Sequence, residues 1–90
     1  MLRLSDDAVE AIRELAGDGV LRLVAHEEDD GVEIESTVVD GPEDGDELVE
    51  NGGVRVALDA TAAEVLGDQI LDVHAHGDHV HFVFEPQDEG

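Results

Sequence analysis

Apolar residues along this chain change their spacing in a definite order, and each change marks an element. Residues 2–4 read as a short extended lead-in. Ser5 carries the oxygen of a good helix N-cap, and Asp6 and Asp7 follow in the first turn, where the helix dipole favours anions. Ala8, Val9, Ile12, Leu15 and Ala16 then recur at helical spacing until Gly17 stops the run. From Val20 the period falls to two. Residues 20–26 read as a strand with Leu21, Leu23 and Ala25 on one face. Residues 27–31 form an acidic turn, 32–39 the returning strand, and 40–46 a loop of Gly, Pro and acids. Residues 47–50 are a short strand, Asn51-Gly52-Gly53 a tight turn, and 54–58 a strand with Val54, Val56 and Leu58 inward. Asp59 caps a second, short helix over 60–66, which Gly67 ends.

The last two runs, 70–76 and 79–84, alternate about Gly77-Asp78. A Gly-Asp pair in that setting predicts a two-residue hairpin, with Gly supplying the positive φ of a type II′ turn. The turn pairs His76 with His79 and His74 with His81. Side chains alternate along strands, so the four imidazoles share one face. Leu71, Val73, Ala75, Val80, Phe82 and Phe84 share the other, which reads as core. Pro86 closes the hairpin, and 87–90 read as a frayed tail. The pattern predicts an α+β fold in one domain over 1–86. Mostly antiparallel strands form a small curled sheet or sandwich, with an N-terminal helix and a short second helix.

Composition sharpens this picture through charge and through one missing residue type. The 90 residues carry 25 Asp and Glu against 4 Lys and Arg, a formal charge of -21. A disordered acidic chain has such a balance, but 41% of these residues are hydrophobic and they keep a clean period. The charge fits a folded protein of a high-salt cytoplasm, where the screening length falls to ~3 Å at 1 M. No basic patch exists to neutralise phosphates, which excludes nucleic acid and anionic membrane as partners. There is no cysteine, so thiolate metal sites, thiol nucleophiles and a cysteine-ligated iron–sulfur cluster are excluded. No signal-peptide pattern or long apolar run is present, and a cytoplasmic location is expected.

The order of these segments, with their local words, resembles the A-type iron–sulfur carrier family of HesB/IscA-like proteins. Leu4-Ser5-Asp6-Asp7-Ala8-Val9 with Ile12 matches the family's opening helix, and Val20-Leu21-Arg22-Leu23 its "GLRL" strand. Asp40-Gly41-Pro42 matches its "D-x-P", and Gly53-Val54-Arg55-Val56-Ala57-Leu58-Asp59 its "G-V-x-V-x-V-D" strand. Residues 62–73 follow its short helix and next strand. The resemblance spans about residues 4 to 85. It implies the HesB-like fold, a place near iron–sulfur assembly, and a protein partner in iron–sulfur or metal metabolism. The ligands depart from the pattern. Asp29 stands where the family's first cluster cysteine lies, and the C-terminal "C-G-C-G" is absent. The function this implies is that of a non-catalytic interaction or accessory domain without cluster-ligating cysteines.

The alternative is transition-metal binding or handling through His74, His76, His79 and His81. Imidazole suits Zn, Fe, Ni and Cu, and directly paired strand residues have Cβ atoms ~4.5–5.5 Å apart. Asp72 and Asp78 are placed to add an oxygen ligand or to support one. The plain counterpart is a solvated polar face in a chain that avoids lysine. pH sensing follows from the same imidazoles, but no second state is evident. His26 and Asp29, at the acidic turn, form a weaker candidate pair. The loop 41–46 lacks a phosphate cradle. No Ser or Thr has a nucleophile's setting, so no enzymatic activity is expected. Arg3, Arg13, Arg22 and Arg55 are expected to pair with local acids.

Overall fold

The computed structural model describes residues 2–77 and 79–86, and of Ala75, His76, His79 and Val80 the backbone alone. The elements run β1 (Arg3–Leu4), α1 (Asp6–Ala16), β2 (Val20–Glu28), β3 (Gly31–Val39), β4 (Glu47–Asn51), β5 (Val54–Leu58), α2 (Ala60–Leu66), β6 (Gln69–His76) and β7 (His79–Pro86). Both helices start where a cap was expected. The Ser5 side chain accepts from the Ala8 amide, and that of Asp59 from the Ala62 amide at 2.7 Å. Asp59 also donates its own amide to the Leu23 carbonyl at 3.1 Å, which ties the start of α2 to β2.

The strands form two sheets, ordered β1-β6-β7 and β3-β2-β5-β4. The hairpins are antiparallel, as the alternating runs predict. Two pairings are parallel, β1 with β6 and β2 with β5. Their partners lie far apart in sequence, so no local pattern announces them. The acidic turn is also tighter than expected. Glu28 pairs with Gly31, which extends both strands and leaves Asp29 and Asp30 at the turn.

The core lies between the sheets and the helices. Parallel register sets Leu21 beside Val56 and Leu23 beside Leu58, and all four are at most 2% exposed, as is Leu71 of β6. Each such side chain is worth ~1.5–3 kcal/mol of burial. α1 packs against β6 and buries Ala8, Val9 and Ile12, while α2 packs against β2 with Ala62 and Leu66. Leu15, at the margin of the α1 stripe, stays exposed. Val20 and Ala57 have the opposite parity to the core strands' inward residues, yet both are fully buried. On that second face Arg22, at the register of Ala57, bonds Asp46 and anchors the 40–46 loop. Among the described residues, no buried side-chain polar atom lacks a partner.

Candidate functional site

The final hairpin has the predicted register. Gly77 takes φ 58°, and His76 pairs with His79 and His74 with His81. Leu71 is fully buried on the inner face, with Phe82 and Phe84 half-buried against the core. Outward, His74 and His81 stand opposite each other, both exposed. Asp78 and the side chains of His76 and His79 lie outside the described residues, as does the 87–90 tail.

Among the described side chains, the histidine in a donor cluster is His74, and its neighbours there are carboxylates. Asp72, His74 and Glu85 each offer one ligand atom, and these atoms lie within 4.8 Å of one another. Asp72 and His74 alternate along β6. Glu85 pairs with Ile70, which sets it diagonally across from Asp72 on the same face. Asp72 was foreseen as an oxygen donor, but Glu85 was not. The signal for it was present: once the turn is assigned, register and parity put Glu85 beside Asp72.

Asp72 is the best-held member of the cluster. Its Oδ1 accepts from the Ser5 hydroxyl at 2.7 Å and from the Val73 amide at 2.8 Å. The Ser5 hydroxyl holds this carboxyl below the usual range, the Val73 amide adds to the effect, and proximity to His74 acts in the same direction; desolvation opposes them. The same Ser5 oxygen caps α1, and the Ser5 amide donates to the Leu71 carbonyl at 2.9 Å. The start of α1 and the base of the hairpin are therefore one hydrogen-bonded unit. An imidazole with two carboxylates is a mixed nitrogen–oxygen donor set suited to divalent first-row metals.

The remaining features are spread over other surfaces. His26 of β2 lies 3.4 Å from Glu35 of β3, and Asp29 sits exposed at the turn beyond. An open groove of about 240 Å³ runs between the sheets, lined by Leu23, Ile34, Ser36, His81, Phe82 and Phe84. Arg22 pairs with acids as expected, with Asp46 at 2.8 Å and Glu43 at 3.3 Å. Arg13 and Arg55 depart from that expectation. They donate to the carbonyls of Gly52 and Asp18, at 2.7 and 3.1 Å. No helix among the described residues is long and apolar enough to cross a membrane.

No protein-family model and no curated protein matches this sequence. Solved structures do. A crystal structure of IscA with a 2Fe-2S cluster superposes with a TM-score of 0.81 at 22% identity, covering 96% of this chain and 85% of the other. Escherichia coli SufA, described as involved in the biosynthesis of iron–sulfur clusters, gives 0.80 at 24% identity over 94% and 79%. The solution structure of an Aquifex aeolicus protein gives 0.76 at 23% identity over 96% and 91%. The chain thus has a divergent A-type-carrier-like fold. A thiolate-ligated cluster does not fit it, because none of the residues present is a cysteine.

Proposed function

We propose that this protein is a non-catalytic A-type-carrier-like domain, acting as an interaction or accessory protein in iron–sulfur assembly and in a high-salt cytoplasm. The observation that carries the reading is a fold kept over 96% of the chain, at a TM-score of 0.81 to IscA, in a sequence with no cysteine. What supports it is that such a domain retains the carrier's fold without its ligands. The charge of -21 supports a partner contact made in concentrated salt, where repulsion between acidic surfaces is screened.

The test is direct binding in molar KCl between the purified, untagged domain and a cysteine-bearing A-type carrier from the same cells. Sedimentation velocity should show a saturable complex, and anaerobic incubation of the domain alone with iron and sulfide should yield no 2Fe-2S absorption. Absence of a complex with that carrier, together with no iron–sulfur assembly protein in a co-purification, overturns the reading. A second reading, transition-metal handling on the outer face of the last hairpin, draws support from the donor cluster at Asp72, His74 and Glu85.

A further inference from the structure

We propose that Asp72, His74 and Glu85 together bind one divalent first-row transition cation, with water completing its coordination. The site goes beyond the interaction reading and does not depend on it. It lies toward the base of the hairpin, where α1 begins.

Three observations carry the assignment. The donor atoms lie within 4.8 Å of one another, whereas ligands of a tetrahedral ion with ~2.1 Å bonds stand ~3.4 Å apart. His74 and Glu85 are exposed, so rotation about their own side-chain bonds closes the difference. Asp72 is already fixed. Ser5 and Val73 both donate to its Oδ1, and the carboxylate offers one oxygen to the cluster. A ligand ordered before binding loses less conformational freedom when the ion arrives. The charges also match, since two carboxylates offset a dication. The imidazole sets the selectivity. Mg²⁺ and Ca²⁺ prefer oxygen donors throughout, while Zn²⁺, Co²⁺ and Fe²⁺ accept a nitrogen among them.

Ser5 is a positioning residue in this site. Its hydroxyl orients Asp72 at 2.7 Å, and its oxygen caps α1 through the Ala8 amide at 3.0 Å. Such supporting bonds are typically worth ~10–100-fold in metal affinity.

The experiment is calorimetric titration of the untagged protein with Zn²⁺ alone, and with Co²⁺ followed by visible absorption, in molar KCl. One ion per chain is expected, with Mg²⁺ failing to compete at equal concentration. Glu85→Gln and His74→Asn alter exposed side chains, so their fold should be retained; each should weaken binding by at least ~10-fold. Ser5→Ala should weaken it by ~10–100-fold and change the Co²⁺ spectrum, and Ser5→Thr should restore both. The double variant His76→Ala with His79→Ala should keep the parent affinity. The assignment is overturned if neither ion binds saturably, if Glu85→Gln and His74→Asn leave affinity unchanged, or if the turn double variant abolishes binding. None of these readouts involves a protein partner, so failure here is separable from failure of the interaction reading.

Discussion

Arg22 and Asp46 show what a single pair of side chains does in a chain so short of cations. The guanidinium meets the carboxylate through two bonds, Nε to Oδ2 at 2.8 Å and Nη2 to Oδ1 at 3.1 Å, and the Asp46 side chain is 2% exposed. Oδ2 also accepts the Glu43 amide at 3.0 Å, which closes the loop on itself. The Arg22 hydrogen bond holds the Asp46 carboxyl below its usual range, with the Glu43 amide assisting against desolvation. A folded pKa below the unfolded one stabilises the fold above the unfolded value, and the contribution is lost as pH falls through the folded one. Asp46→Asn should therefore lower the melting temperature at neutral pH, and the gap to the parent should narrow as pH drops below ~4. Melts across that range check it; a gap independent of pH would show that the pair contributes through packing alone. That Arg22 would seek an acid was legible in the sequence. That the acid is Asp46, 24 positions away, was not, because loop closure leaves no periodic trace. Glu85 shows the opposite case. Its place beside Asp72 follows from strand parity and turn register, both of which are written in residues 72–85.

At the scale of elements, local chemistry announced the helices, caps and hairpins, while the long-range parallel pairings of β1 with β6 and β2 with β5 went unannounced. Periodicity reports which face of a strand is buried, not which distant strand lies beside it. The turn joining β4 and β5 shows how such packing places demands on one residue. Gly52 has φ 61°, and a Cβ there would stand 2.7 Å from Val9 Cγ1 of α1. Its carbonyl accepts from Arg13 Nη2 at 2.7 Å, so the helix clasps the turn from two sides. Gly53, with φ 85°, also needs the left-handed region but has no atom within 4 Å of the equivalent position. Gly53→Ala should therefore cost backbone strain alone, of order 1–3 kcal/mol. Gly52→Ala should exceed it, because overpacking against Val9 adds ~1–3 kcal/mol. Urea unfolding of the two variants side by side decides the matter. Equal losses would mean that α1 yields at this contact without resistance.

For the whole molecule the decisive comparison is between its size and the range of its charges. The radius of gyration is 12.6 Å, and the screening length is ~10 Å in 0.1 M salt and ~3 Å in 1 M. In dilute salt, then, 25 acids against 4 strong cations repel across much of the fold. In molar salt each acid senses only its nearest neighbours. Among the described residues the core is one buried cluster and no buried side-chain polar atom lacks a partner, so repulsion is the term that salt can remove. The midpoint of thermal unfolding should rise steadily between ~0.1 M and ~1 M KCl. A general salting-out effect would give the same trend, and a variant separates the two. Asp29 and Asp30 sit exposed at the turn of β2 and β3, next to Glu27 and Glu28. Replacing both aspartates with asparagine removes two charges from the densest acidic run without touching the core. If repulsion is the cause, Asp29→Asn with Asp30→Asn should stabilise the protein in dilute salt, and the advantage should vanish in 1 M KCl. If the advantage persists unchanged at high salt, screening does not account for the salt dependence, and the acidity of this surface must be explained by hydration or by a partner instead.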